Sequence, residues 1–589
     1  MKTIIIGNIV AALFLLSAGL STAYAEDADA KLNAFFKQYL DETFRLRPTE
    51  ATRLGDHRFD NLLDDLSPQA RKNWIEHSRK TLEELPKQVD YEKLSRDGKI
   101  DYDIFRHQLT ASIWLAENLR PFELDPRVYN SYINESVYTL LTQSTLPKET
   151  NIANAVARMK HIPEVVAEAR RSLQNPPAVA TETAIKQNLG AIGFYERDIF
   201  EVAGDTPQSD ALKAAAKPVA DSLKQYQQFL EKELLPNAKG QWRLGKEKFA
   251  KKLEMELEAD VTPEQVLAEA ESEFVRVQRD MYLIARQLWP RYFPKEPMPP
   301  DDAEGRRFCV EQVLGKVGLE HGTVADLVPE ARKNVERIKK FITQRDILRL
   351  PQPDHCQVVE MPEFKRGNST AYCEPAPPLD PKAASFYAVS PPPKDWDAKK
   401  VESLLEEYNS HMLQILTIHE AYPGHFVQLE YAHRNPSLIR RVFESGVYVE
   451  GWAVYTEQMM LDQGYGDGNL ALRLTQQKFY LRAVANAILD HKLHCTSMTD
   501  DEALKFLMND AYQSEGEARL KIIRAKQTSC QLSTYFVGRT AMYRLRQQIE
   551  REQGKNFDLG RYHEAVLDPA SVPVKYLPEL VRDRLSKPR

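Results

Sequence analysis

Apolar positions recur at helical spacing from the first part of the chain onward. Leu32, Phe35, Phe36, Tyr39 and Leu40 fall on one face of a 3.6-residue period. The period returns near 152–173, 208–234 and 263–288, with no fixed repeat length joining these segments. From about residue 29 to 350 the pattern predicts a mostly helical region, interrupted by a proline-rich break from Pro290 to Pro300. Residues 351–395 change character. Val358 and Val359, Thr370 to Cys373, and Ser385 to Val389 read as two or three short strands, punctuated by Pro375, Pro377, Pro378 and Pro391 to Pro393. Helical spacing resumes near 398, where Val401, Leu404, Leu405, Tyr408, Leu413 and Leu416 lead to His419. Further helices are predicted near 436–462, 470–495, 500–511 and 514–550. The fold class is therefore mainly α, with a small β-element just ahead of a helix that ends in chemistry.

That helix runs into His419, Glu420, Ala421, Tyr422, Pro423, Gly424 and His425. Two imidazoles beside a carboxylate are the ingredients of a zinc-hydrolase helix, but the spacing differs from His-Glu-x-x-His, whose histidines are four apart on one face. Six steps of about 100° leave His419 and His425 roughly 120° out of phase on a straight helix. Pro423 and Gly424 lie in the gap, and both interrupt regular helix. The expectation is a helix broken at Pro423–Gly424, so that His425 swings back toward His419.

A zinc hydrolase needs three protein ligands and one open position. The third is sought on another helix. Glu450, next to Gly451 and Trp452, stands in an otherwise apolar run, where an unpaired carboxylate is costly. Glu444 and Glu457 are alternatives, as ligands or as partners that orient an imidazole. Glu420, adjacent to a ligand, is placed to act as general base on a zinc-activated water. An oxyanion then needs a further donor, and Tyr535 and His494 are the candidates.

Composition narrows the setting. The chain has 589 residues and a net charge of −6, which leaves no basic surplus for nucleic acid. Lys2, an apolar run from Ile4 to Leu20, and the small residues Ala23 and Ala25 predict a signal peptide over residues 1–25. The protein is expected to be exported, periplasmic or secreted. No cysteine lies near the cut, so no lipid anchor is expected. No other stretch is apolar enough to span a bilayer, so no stable membrane association is expected after signal cleavage. The five cysteines are an odd number for an oxidising compartment, and Cys356 with Cys373 is the first choice for a bridge. None has Cys-x-x-Cys spacing, which disfavours a thiolate zinc site.

Taken together, His419 to His425 and the later Glu450, Gly451, Trp452 and Ala453 resemble the bacterial family known as domain of unknown function 885. Gly245 to Phe249, Val358 to Pro362, Tyr372 to Pro377 and Asp490 to His494 look like segments of the same family. Family members carry Pro-Gly-Gln-Ala before the late tyrosine, whereas Ser529, Cys530, Gln531 and Leu532 stand here. The family is grouped with gluzincin-type metallopeptidases, whose ligands are two histidines and a glutamate. The resemblance implies a large helical metallopeptidase-like fold with His419, His425 and Glu450 as Zn²⁺ ligands and Glu420 as base. It also implies an extended peptide paired with an edge strand near 370–390, with Tyr372 and Tyr387 lining the groove.

The domain reading that follows is a signal peptide (1–25), a helical N-terminal region (26–350) and a catalytic region (351–589). The last divides into short strands (351–395) and metal-site helices (396–589), and the two mature regions are expected to form one cooperative unit. Three functions remain open. The first is an exported zinc metallopeptidase acting on small peptides. The second is a zinc hydrolase for another amide or ester. The third is an inactive helical binding protein, which would have no need for Glu420 beside the ligands.

Overall fold

The 30-residue helix Pro263–Tyr292 shows how the pattern becomes structure. It opens with a capping box: Thr262 Oγ1 accepts from the Gln265 N–H, and the Gln265 side chain accepts from the Thr262 N–H. Pro263 takes the first helical position, where a missing N–H has no intrahelical partner to lose. Val266, Ala270, Phe274, Val277, Met281, Ala285 and Leu288 then form one buried stripe. The stripe packs along the Leu470–Cys495 helix, which is the central post of the C-terminal half. The helices Ser410–Glu420, Gly446–Asp462, Glu515–Thr528 and Thr534–Gln553 all pack against that post.

The computed structural model describes residues 26–361, 371–380, 382–392 and 396–587. The expected signal peptide lies outside them. The described chain is mainly helical, with one three-stranded sheet. None of its helices is long and apolar enough to cross a membrane.

Two hydrophobic cores form. One draws on Leu66 and on residues from Tyr129 to Leu234. The larger takes Leu32 and Phe36 from the first helix, and Ile338, Ile342 and Ile347 from just before residue 350. It joins them to Tyr387, Ile415 and Ile418 from beyond it. The interior therefore continues across residue 350, and the flanks of the helical region help build the floor of the candidate site.

The strands are β1 (Cys356–Glu360), β2 (Ala371–Glu374) and β3 (Ser385–Val389), in the order β1-β3-β2. β3 is parallel to β1 and antiparallel to β2, and Tyr387 at its centre faces Val358 on one side and Cys373 on the other. This register corrects the disulfide expectation. Cys356 and Cys373 are both free, because β3 separates their strands. Two strand spacings, about 10 Å, exceed the Cα separation a disulfide can bridge.

Some predicted helices divide. The segment from 398 splits into Ala398–Glu407 and Ser410–Glu420, because the Asn409 side chain accepts from the His411 and Met412 N–H groups and starts a new helix. The 436–462 segment becomes Leu438–Val442 and Gly446–Asp462. The 514–550 segment breaks at Ser529 and Cys530, whose φ values are +40° and +66°.

Candidate metal centre

The Ser410–Glu420 helix sends Met412, Leu413, Ile415, Leu416 and Ile418 into the core and ends on the buried pair His419 and Glu420. Ala421 leaves the helix, the Tyr422–Pro423 bond is cis, and His425 is the first residue of the next helix, His425–His433. The chain breaks where the sequence predicts. Gly424 is needed for space: a Cβ there would stand 1.9 Å from the His419 carbonyl oxygen and 2.3 Å from that of Ile418. With the turn folded onto the end of the first helix, the rings of His419 and His425 meet at 4.8 Å and 89°.

Glu450 arrives on the Gly446–Asp462 helix. Its Oε2 lies 3.5 Å from His425 Nε2 and 3.8 Å from His419 Nε2. One neighbour clamps this helix to the turn, since Trp452 Nε1 donates to the Pro423 carbonyl at 2.8 Å. Two turns further on, Glu457 Oε1 is 2.7 Å from His419 Nδ1. Burial, aided by His425, pushes the His419 imidazolium down to about 3, so this ring is neutral. The hydrogen bond between Nδ1 and Glu457 fixes the ring so that Nε2 is the atom facing Glu450 and His425. Glu457 thus pairs with the far side of His419 and is not one of the three clustered residues. Glu444 precedes the helix and stays outside the cluster.

Charge follows the same geometry. Burial opposes ionisation of Glu450, but His425, with His419 and Tyr535, holds its carboxyl down to about 2. Burial likewise opposes protonation of His425, yet Glu450 and Glu420 hold its pKa above the usual imidazole value. Glu420 Oε2 accepts the Cys373 N–H of β2 at 2.9 Å. Burial pushes Glu420 up to about 7, where a carboxyl can both take and release a proton near neutral pH.

The residues fit a metal ion. The ligand atoms of His419, His425 and Glu450 all lie within 4.8 Å of one another, the one such His/Cys/Asp/Glu group among the described residues. A tetrahedral site with bonds of about 2.0–2.2 Å spaces its ligand atoms roughly 3.3–3.6 Å apart, close to the distances to Glu450. Glu450 Oε2 is buried and makes no hydrogen bond beyond its 3.5 Å ion-pair contact with His425, which leaves lone pairs for a cation.

Tyr535 joins this group. It sits in the first turn of Thr534–Gln553, and its hydroxyl accepts from Arg524 Nη2 at 2.9 Å and from Gln531 Nε2 at 3.4 Å. The turn before it lacks Pro-Gly but is held from outside. Asp490 accepts from the Cys530 N–H and the Ser533 hydroxyl, both at 2.9 Å, and Lys252 Nζ donates to the Ser529 carbonyl at 2.5 Å.

Other expectations are corrected. His494 is turned away from the cluster: its Nε2 pairs with the Ala525 carbonyl at 2.9 Å, its Nδ1 accepts from the Leu244 N–H, and its ring stacks on Phe249. It is a core histidine that ties three segments together. Tyr387 is buried against Thr417, and Tyr372 points to Glu374, so neither lines the cavity beside the cluster. That cavity, of about 110 Å³, is bounded instead by His419, Glu420 and Tyr535 with Arg482, Lys521 and Arg524. The three cations escaped the sequence reading because charged residues on helices usually mark a solvated face.

A family model for bacterial proteins of unknown function, DUF885, matches residues 48–581. The chain belongs to the DUF885 family. Its fold is similar to that of a candidate lipoprotein of unknown function from Shewanella oneidensis, with a TM-score of 0.77 and 30% identity over 93% of this chain and 99% of that one. It is also similar to a candidate lipoprotein from Colwellia psychrerythraea, with a TM-score of 0.76 and 17% identity over 95% and 99% of the two chains. No curated protein matches this DUF885 member.

Proposed function

We propose that this DUF885 protein is an exported zinc-dependent hydrolase that cleaves peptide bonds in small peptides, with a gluzincin-type centre. The observation that carries the reading is the convergence of His419, His425 and Glu450 on one point, with Glu420 one residue from the first ligand and Tyr535 beside the last. Zinc held by the three ligands supplies Lewis acidity to a carbonyl oxygen and acidifies a water molecule.

The chain's own residues do the rest. Glu420 accepts the proton of the attacking water and returns it to the leaving amine, a task suited to a pKa near 7. The Cys373 N–H fixes which way its carboxylate points. The Tyr535 hydroxyl accepts from Arg524 and faces Glu450, so its hydrogen can turn from that carboxylate to a developing oxyanion once Glu450 holds the metal. β2 is an edge strand that runs past Glu420, an arrangement that suits an extended peptide better than an unrelated amide or ester. The leader-like residues 1–25 support export, as do two relatives described as candidate lipoproteins.

The test is the Glu420→Gln variant. It is expected to keep its zinc and to lose cleavage of a defined mixture of short peptides read by mass spectrometry. Unchanged turnover in that variant contradicts the role of Glu420.

A further inference from the structure

One wall of the cavity beside the cluster carries three cations, Arg482, Lys521 and Arg524, opposite Glu420 and Glu457. Arg482, from the central post, is paired: its Nη1 lies 2.9 Å from Glu517 Oε2. Glu517 also accepts the Tyr408 hydroxyl at 3.0 Å. Lys521 and Arg524, three apart on the Glu515–Thr528 helix, face the same cavity. Lys521 is only 5% exposed, and no hydrogen bond or ion pair among the described residues uses its ammonium. Arg524 donates to Tyr535 and Gln531, and no carboxylate among the described residues pairs with it.

A buried ammonium without a partner is costly. Burial, with Arg482 and Arg524 close by, outweighs the pull of Glu517 and Glu450 and pushes Lys521 well below the usual lysine range, and a bound carboxylate would restore its charge. A carboxylate seated between Lys521 and Arg524 supplies the missing counter-charge. Lys521 and Arg524 line this cavity together with His419 and Glu420, so a carboxylate seated on them lies beside the cluster. A substrate's N-terminal ammonium would be repelled there.

We infer that Lys521 and Arg524 form a carboxylate-recognition wall that seats the free C-terminal carboxylate of a short peptide next to the metal centre. The inference rests on the hydrolase reading above for where the scissile bond lies. The recognition itself can be read by binding alone. An acidic side chain offers the same chemistry and forms a separate arm of the test.

The experiment uses the zinc-loaded Glu420→Gln protein and isothermal titration with three probes: trialanine as free acid, trialanine amide, and alanyl-aspartyl-alanine amide. Tighter binding of the free acid than of either amide, by about tenfold or more, is expected. Tight binding of the aspartyl amide but not of trialanine overturns the C-terminal assignment in favour of a side-chain carboxylate. Equal binding of all three, or none, overturns the wall altogether. Lys521→Met and Arg524→Gln should each shrink the preference for the free acid to about threefold or less while zinc content and thermal unfolding stay unchanged. A preference that survives both substitutions also overturns the assignment. Peptide turnover by the wild-type protein is measured separately. Binding preference without turnover leaves the wall standing and removes the peptidase reading. Turnover without preference does the reverse.

Discussion

Gly451 and Gly538 meet backbone to backbone. A Cβ on Gly451 would lie 2.4 Å from the Gly538 carbonyl carbon, and a Cβ on Gly538 would lie 2.7 Å from the Gly451 Cα. This contact lets the Gly446–Asp462 and Thr534–Gln553 helices cross closely. Glu450 precedes one glycine by one residue, and Tyr535 precedes the other by three. The crossing therefore sets the candidate ligand and the candidate oxyanion donor side by side.

Gly451→Ala tests that crossing. The added methyl has no room, so the helices must separate, at a cost of about 1–3 kcal/mol. Denaturant unfolding should show this loss, and a zinc titration should show weaker binding. Wild-type values in both assays would remove the crossing from the account of the site.

Glu457→Gln tests the orientation of His419. The amide fills the same space but can present its NH₂ as well as its oxygen to Nδ1, so the ring is no longer held with Nε2 free for the metal. Zinc affinity should fall about 10- to 100-fold with little change in the fold. Competition with a chromophoric chelator measures it, and an unaltered dissociation constant would count against the His419–Glu457 pair.

How much of this was legible in the sequence depends on how local each cause is. The break at Pro423–Gly424 was readable because both residues interrupt a helix whatever surrounds them. Glu450 was readable because a lone carboxylate in an apolar run needs a partner. The space demanded at Gly424 was not readable, since it arises from the carbonyls of His419 and Ile418 folding back onto it. The Asp490 to His494 segment misled for the same reason. Its His494 looks like an oxyanion donor in line, yet tertiary packing turns that ring to the Ala525 carbonyl, while Asp490 goes to the Cys530 turn. The cationic wall was hidden because Lys521 and Arg524 become a pair only when their helix docks on the central post.

Tyr535→Phe separates binding from chemistry. The ring packing survives, zinc stays bound, and only the hydroxyl is lost. Steady-state kinetics on a cleaved peptide should show kcat lower by about 10²–10³ with KM little changed. A variant as fast as wild type would assign the oxyanion to another donor.

His57 ties the N-terminal segment to the stretch between β2 and β3. Its Nδ1 is 2.8 Å from Asp60 and its Nε2 is 3.1 Å from Asp380. The hydrogen bond to Asp60, reinforced by Asp380 and opposed by burial, raises its pKa to about 9. A raised folded-state pKa gives stabilisation that is complete below about 6.5 and is lost as pH climbs through about 9. With solvent screening the effect is of the order of 1 kcal/mol. Thermal unfolding should therefore show Tm falling between about pH 7 and pH 9.5 in the wild type and a flatter profile in His57→Gln. Parallel profiles would contradict the clasp.

The central claim is that His419, His425 and Glu450 hold one metal ion. The most direct measurement is the metal content of the purified chain by mass spectrometry after zinc loading and dialysis, compared with His425→Ala. The account predicts about one zinc per chain in the wild type and loss of that zinc in the variant. A wild-type chain that retains no stoichiometric zinc, or a His425→Ala chain that retains as much as wild type, would contradict it.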